Sequence, residues 1–516
     1  MELKKGQIVE LNIEDLSTEG AGTGRLEDGL VVFVKGALPG DRIRAEITKI
    51  KKRYAFGRLV EICDESPWRQ ESLCEYCNIC GGCSFGNISY DGQLAIKQKQ
   101  VYDRLSRLGG IETPIVRDII GMDSDGFSED GRPYRYRNKG SMVVSTGGFM
   151  TKKGGLREPV HEPRIGFYRR GSHDVVDCQD CLLQSPAAIA AAEALRQFMA
   201  EDNITSYDHR WEKGLMRHMV VRTAEGTGEV MVVLVINGKA IPNAAKLIEM
   251  LDDRIYEAGY NLESVVLNIN KKNTSEILGE ECITIAGKPT IREVIGEMEF
   301  EISPLSFYQV NREQMVKLYD KVLEYAGISS SNSDAVPHGS TVLDLYCGVG
   351  TIGLFAAKRM NELGIYSAQV IGIESVKGAV LDANRNAVIN GIVNARYVCG
   401  KAEDVLPQMV KESTGKDQVK NNRASGESFD EELKIDNAHV VILDPPRAGC
   451  DERLLEAVVK TIPERIVYVS CDPATLARDV KWLGDNGYEF VEATPVDMFP
   501  HTGHVETVVL MSKREK

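Results

Sequence analysis

No apolar run in this chain reaches the roughly 20 residues that a membrane-spanning helix needs. Nor does a signal-type apolar segment follow Met1-Glu2-Leu3-Lys4-Lys5. The expectation is a cytoplasmic protein with no membrane partner. Positive charge is also in deficit. The formal net charge is -14, which counts against a generic nucleic-acid binder. There are no internal repeats, no G-x-G-x-x-G fingerprint after the glycine-rich strand end discussed below, and no C-x3-C-x2-C run of the radical-enzyme kind.

What is present suits a large soluble enzyme. At 516 residues the chain exceeds one ordinary core, and 43% hydrophobic with 27% charged residues is a globular composition. The negative charge is unevenly spread. Lys35 to Arg58 holds eight Lys/Arg against two Asp/Glu, and Arg132 to Arg170 holds ten against two. Tyr134, Tyr136, Phe149, Phe167 and Tyr168 are interleaved in the second stretch, a mixture suited to phosphate contacts and base stacking.

Residues 1–62 alternate in short segments (Gln7 to Ile13, Leu30 to Val34, Arg42 to Ile50, Ala55 to Ile62) broken by turns such as Glu19-Gly20-Ala21-Gly22, which predicts a small β-barrel. Helices are expected at Gln93 to Leu108 and Ser185 to Met199. From about Glu299 strands and helices alternate, the pattern of a parallel sheet covered on both faces. The expected strands are Thr341 to Leu345, Val370 to Ile373, Ala395 to Cys399, Val440 to Leu443, Arg465 to Val469 and Thr507 to Met511. The polar stretch Lys411 to Asn437 reads as a flexible insertion, and Ser329 to Gly339 as a shorter linker.

Four motifs converge on the ends of those strands. Asp344 to Gly350 (DLYCGVG) is a strand end turning into a helix through glycines that let a cofactor approach the backbone. Roughly twenty residues later Glu374 ends the next strand, where a carboxylate can bind ribose hydroxyls. The loop is too short for a dinucleotide fingerprint, and S-adenosylmethionine has no pyrophosphate to cradle. Asp444-Pro445-Pro446-Arg447 fixes a turn outside another strand. Amino-group methylases carry an aromatic residue after such prolines. Arg447 stands there instead, which disfavours N-methylation and leaves carbon methylation. Ser470-Cys471-Asp472-Pro473 offers a thiol nucleophile. Uracil C5 becomes nucleophilic once a thiolate adds to C6, and a base must later remove the C5 proton. Glu506, in His504-Val505-Glu506, is the best-placed base. Cys347 and Cys450 read as packing.

The chain has twelve cysteines, five of them between Cys63 and Cys83. In a cytoplasmic chain such clustering points to metal binding or catalysis rather than disulfides. Cys74-x5-Cys80-Gly81-Gly82-Cys83, with Cys178-x2-Cys181 downstream, suits zinc or a cubane iron–sulfur cluster, and spacing alone does not choose.

These motifs together resemble the bacterial RNA uracil-5-methyltransferases, most closely their cluster-containing ribosomal branch. The resemblance covers nearly the whole chain. It rests on the C-x5-C-G-G-C run, Phe307-Tyr308-Gln309-Val310-Asn311, DLYCGVGTIGL, DPPRAGC, YVSCDPATLARD and HVETVVLM, and on their order. It implies a multidomain α/β protein: an OB-like TRAM barrel at 1–62, a central α+β iron–sulfur and RNA-binding domain at 63–87 and 121–298, and a Rossmann-like methyltransferase domain at 88–120 and 299–516. Cys74, Cys80, Cys83 and Cys181 would hold a four-iron four-sulfur cluster, Cys181 being preferred to Cys178 because Leu182-Leu183-Gln184 follows it. The cluster would order the central domain rather than transfer electrons. Gln309, Tyr346, Glu374 and Asp444 would contact S-adenosylmethionine, Cys471 would be the nucleophile and Glu506 the base. The implied reaction is C5 methylation of uridine in 23S rRNA, with no obligate protein partner. The same chemistry on tRNA, a non-enzymatic RNA-binding maturation factor, and an electron-transfer iron–sulfur protein are the competing readings. The last of these leaves Cys471 and DPPR unexplained.

Overall fold

The computed structural model describes residues 3–145, 162–209, 212–329, 336–413, 435 and 437–515. The first five strands, β1 (Ile8–Leu16), β2 (Ala21–Arg25), β3 (Val31–Lys35), β4 (Arg42–Ile50) and β5 (Tyr54–Asp64), close a barrel in the order β1-β2-β3-β5-β4. Alternation builds it: Ile43, Ala45 and Ile47 point inward to meet Val32, Val34 and Leu11, while Arg42 and Arg44 face water. Strand β2 falls partly where the sequence reads as a turn. Its glycines carry no apolar signal, yet Thr23 pairs with Phe33 and Gly24 with Val32.

Turns run from Cys74 to Cys83. Helix α1 (Tyr90–Arg107) follows, with the Ser89 hydroxyl accepting from the Gly92 amide at its start. The chain then forms β6 (Lys139–Ser145), β7 (Arg164–Tyr168), β8 (Val175–Asp177), α2 (Pro186–Glu201), β9 (Met216–Ala224), β10 (Glu229–Ile236), α3 (Ala244–Glu257), β11 (Asn261–Ile269) and β12 (Glu281–Gly287). The strands make one seven-stranded sheet in the order β12-β11-β10-β9-β6-β7-β8. Helices α2 and α3 cover one face, packing Leu195, Phe198, Leu247 and Leu251 onto Met219, Val221 and Val232. The opposite face, with Val220, Met231 and Val233, shares a core with the C-terminal part of the chain.

A hairpin, β13 (Ile291–Ile295) and β14 (Met298–Ile302), leads into α4 (Arg312–Tyr325). Then come β15 (Thr341–Leu345), α5 (Thr351–Glu362), β16 (Gln369–Glu374), α6 (Lys377–Ile389), β17 (Ala395–Cys399), α7 (Ala402–Ser413), β18 (Val440–Leu443), α8 (Glu452–Lys460), β19 (Arg465–Ser470), α9 (Pro473–Asp485), β20 (Tyr488–Val496) and β21 (Glu506–Lys513). The sheet order is β17-β16-β15-β18-β19-β21-β20, parallel from β17 to β19, with β21 antiparallel to both its neighbours. All six expected strands are there. The polar stretch 411–437 lies largely outside the described residues, but its expected bounds are too wide. Helix α7 runs to Ser413, and Ile435 is buried in the core beneath the C-terminal sheet.

Helix α1 is far in sequence from this sheet but packs on α9 and β20, and residues 116–120 pair with β20 through Val116–Ala493 and Ile120–Val496. Its anchor is Lys97. The Lys97 ammonium is fully buried and donates to Asp497 Oδ1 at 2.5 Å and to the Phe499 carbonyl at 2.9 Å. Removing one charge strands the other in a dry site, whereas replacing both with apolar groups does not. Lys97→Met is therefore expected to cost about 3–5 kcal/mol of stability in urea denaturation. The double variant Lys97→Met, Asp497→Leu should recover most of that loss. Equal losses in the single and double variants would show that the ion pair is not the anchor.

Candidate active site and thiol cluster

The carboxyl ends of β18 and β19 and the first residue of β21 meet at one edge of the sheet. Strand β18 is followed by Asp444, β19 by Cys471, and β21 begins with Glu506 beside the end of β19, where Ser470 pairs with Thr507. The Cys471 thiol is held by a sharp exit from the strand. The Asp472 carboxylate accepts from the Ala474 and Thr475 amides at 2.8 and 3.2 Å and so starts α9 directly after the cysteine.

Burial sets the resting state of these groups. It pushes the Cys471 thiol up to about 11, with Glu506 and Asp444 adding to the shift, while a hydrogen bond and the positive charge of Arg447 oppose it. Glu506 is 4% exposed, and its Oε2 has no hydrogen-bond partner. Desolvation, then the Asp444 charge, hold its carboxyl well above the usual range, and Arg447 pulls it back. Asp444, half-buried, is pushed up to about 7 by desolvation. Two carboxyl groups and a thiol thus meet in a partly buried pocket beside the Arg447 guanidinium. The sequence reading took Arg447 only as the absence of an aromatic residue. Its contact with Cys471 was missed because nothing local signals it. Cys347 and Cys450 are buried, with thiols raised by desolvation.

The glycine loop lies two strands away. Gly350 has a left-handed backbone, φ +79°, and any Cβ there would strike the Tyr397 ring at 2.6 Å. Gly348, φ +56°, faces open space, the nearest atom to an added Cβ being the Phe307 carbonyl oxygen at 3.8 Å. Glu374 Oε2 accepts from the Gly348 amide at 3.1 Å, and Oε1 from the Val376 amide at 2.8 Å. Asp344 is buried, accepts from the Gly353 amide at 2.9 Å, and leaves Oδ1 unpartnered. Burial pushes it up to about 7. Tyr346 has φ +65°, a strained value for a residue with a side chain, and its hydroxyl donates to Glu403 at 2.6 Å. Gln309 is buried, its backbone carbonyl accepting from the Asn138 amide group at 2.9 Å. An open cradle over Gly348 beside Phe307 and Glu374, with an unsatisfied carboxyl oxygen behind it, fits a nucleoside-type cofactor such as S-adenosylmethionine.

The thiols form a separate group. Cys74, Cys80, Cys83 and Cys181 lie within electrostatic reach of one another, and Cys77 joins them. The loop docks on the central sheet where the Gly81 amide donates to the Tyr168 carbonyl at 2.9 Å, and Arg170 donates to the Cys83 carbonyl at 2.5 Å. Cys178 hydrogen-bonds to Cys181, and the Leu183 and Gln184 amides also face Cys181, which brings its thiol down to about 7. Among the described residues no three His, Cys, Asp or Glu side chains are arranged to hold a single metal ion. The donor set is all sulfur, which suits an iron–sulfur cluster better than a hard cation.

No helix among the described residues is long and apolar enough to cross a membrane. Residues 243–514 match the family model of tRNA (uracil-5-)-methyltransferase, and residues 2–60 match that of the TRAM domain. An uncharacterized RNA methyltransferase of Caldanaerobacter subterraneus is 43% identical over 511 residues, covering 99% of each chain. Another, of Halalkalibacterium halodurans, is 39% identical over 509 residues, covering 99% of this chain and 98% of the relative. Among solved structures, the Pyrococcus abyssi tRNA (uracil-54, C5)-methyltransferase in complex with S-adenosyl-L-homocysteine is similar, with TM-score 0.67 and 27% identity over 98% of this chain and 100% of that one. With the closed barrel, the methyltransferase sheet and the thiol–carboxyl pocket in place, these matches show that the chain belongs to the tRNA (uracil-5-)-methyltransferase family of S-adenosylmethionine-dependent RNA methyltransferases, with a TRAM domain at its N-terminus.

Proposed function

We propose that this RNA methyltransferase acts on C5 of specific uridines in 23S rRNA through a covalent adduct at Cys471. The observation that carries the reading is the meeting of Cys471, Glu506, Asp444 and Arg447 at one strand edge. Gln309, Tyr346, Glu374 and Asp444 are assigned to hold S-adenosylmethionine, which when bound supplies an electrophilic methyl on a sulfonium.

Cys471 gives up its proton to solvent, and its sulfur bonds to uracil C6. The C5=C6 electron pair moves to C5, where bound S-adenosylmethionine would supply the methyl, its S–CH3 bond breaking to leave a neutral thioether. Glu506, in its ionised form, then removes the C5 proton, the double bond re-forms, and the C6–S bond breaks to return the thiolate. Arg447 favours the charged forms of both Cys471 and Glu506, the forms that the reaction uses.

Cys74, Cys80, Cys83 and Cys181 are assigned as ligands of a four-iron four-sulfur cluster that orders the central domain. Cluster-bearing members of the resembled branch act on ribosomal RNA, which favours 23S rRNA. The solved tRNA enzyme from Pyrococcus abyssi favours the second reading, the same chemistry on a tRNA uridine.

Cys471→Ala is expected to abolish turnover with the fold intact by circular dichroism; retained activity would remove the covalent role. Glu506→Gln should slow turnover about 10²–10⁴-fold and accumulate a protein–RNA adduct on denaturing gels. Normal turnover without adduct would remove Glu506 from the reaction. Both groups work deprotonated and both are shifted upward. Single-turnover kcat/KM should therefore rise as pH goes from 6 to 9, and a flat profile would contradict the assignment. Mass mapping of 23S rRNA from a strain lacking the gene should show lost uridine methyl groups, restored by the wild-type gene and not by Cys471→Ala. An unchanged 23S map with a lost tRNA methyl would establish the tRNA reading.

A further inference from the structure

His504 is left over from the terminal His-Val-Glu motif once Glu506 is assigned. Its Nε2 lies 3.3 Å from Arg447 Nη2. A guanidinium only donates, so Nε2 must be the accepting nitrogen and the imidazole the neutral Nδ1–H tautomer. Arg447 is exposed on the turn after β18. Its backbone carbonyl is fixed by the Thr475 hydroxyl at 3.1 Å, and its side chain reaches two groups, His504 and the Cys471 thiol. An arginine side chain is long and flexible, so a second anchor keeps the guanidinium near the thiol. The imidazole is itself fixed. The His504 amide donates to Thr502 Oγ1 at 3.3 Å, and the ring sits edge-on to Phe499 at 6.3 Å.

We infer that His504 is a positioning residue that holds the Arg447 guanidinium against the Cys471 thiol, and so sets how readily the thiolate forms. The inference rests on the assignment of Cys471 as nucleophile. The charged and titratable groups around this relay are Glu506 on β21, Asp444 and Arg447 after β18, Asp472 before α9, Lys97 on α1 and Arg137 before β6. Burial and then the Arg447 charge disfavour the protonated imidazole, which keeps the accepting nitrogen available. A protonated His504 would repel the guanidinium it holds.

The test is the pH dependence of Cys471 alkylation by iodoacetamide, read by peptide mass spectrometry on the full-length protein. The variants are His504→Leu, which removes the acceptor, and His504→Gln, which can return one near Nε2. His504→Leu should move the alkylation midpoint upward by about one unit, roughly a tenfold slower reaction at a fixed pH below it, and His504→Gln should restore most of the rate. In an Arg447→Met background, His504→Leu should have no further effect. A wild-type alkylation profile in His504→Leu, or full additivity with Arg447→Met, would overturn the inference. If His504→Leu folds poorly, Arg447→Met alone still decides: it should raise the alkylation midpoint by at least as much, and an unchanged profile there would overturn the inference. Failure of the covalent reading shows separately, as absence of a Cys471 adduct with 5-fluorouridine RNA in the wild-type protein.

Discussion

A single ion pair sealed from water joins the parts of this molecule. Lys97 on α1 and Asp497 after β20 are both fully buried, and they bring a helix from the first fifth of the chain against the segment that leads to Glu506. Around that pair the segment is held from several sides. His501, left-handed at φ +65°, receives a backbone contact from Phe85 at 2.9 Å, takes Gln93 Oε1 on its amide at 2.7 Å and stacks on Tyr134. The Gly503 amide donates to Ser84 Oγ at 3.0 Å, and a Cβ on Gly503 would strike the Thr18 carbonyl of the barrel at 2.5 Å. Barrel, thiol loop, helix α1 and the segment before β6 therefore all bear on the few residues before Glu506.

Desolvation is the second organising term. Burial holds the Cys471 thiol and the Glu506 carboxyl toward their neutral forms and raises Asp444 to about 7, and the Arg447 charge opposes this for the thiol and for Glu506. A thiol so held rests in its protonated form. The thiol loop lies immediately before Ser84 and Phe85, which contact His501 and Gly503. The thiol loop is thereby tied to the segment that leads into β21.

The parallel strands were legible because both their faces are covered. Val440–Leu443 is buried at every position and reads as an uninterrupted apolar run. Strand β20 was not legible. It is an edge strand with Glu489, Glu492 and Pro495 in it and a register shift between Phe490 and Glu492, so its alternation is broken. The motifs carrying Asp444, Cys471 and Glu506 were visible because each ends or begins a strand. The Arg447–His504 contact was not, because its partners are 57 residues apart and nothing in the two motifs that carry them signals that they meet. The grouping of Cys74, Cys80 and Cys83 with the Cys178-x2-Cys181 pair was legible as a set of clustered thiols, but the choice of Cys181 over Cys178 came only through resemblance, since spacing does not separate two thiols nearly one hundred residues on.

The most direct test of the account is to incubate the protein with S-adenosylmethionine and RNA containing 5-fluorouridine, then digest it and identify the RNA-linked peptide by mass spectrometry. Fluorine at C5 cannot leave as a proton, so the last step stalls. The account predicts a stable methylated adduct on the peptide that contains Cys471. Methylation of ordinary uridine RNA by the same preparation, with no adduct at Cys471 on the fluorinated RNA, would contradict it.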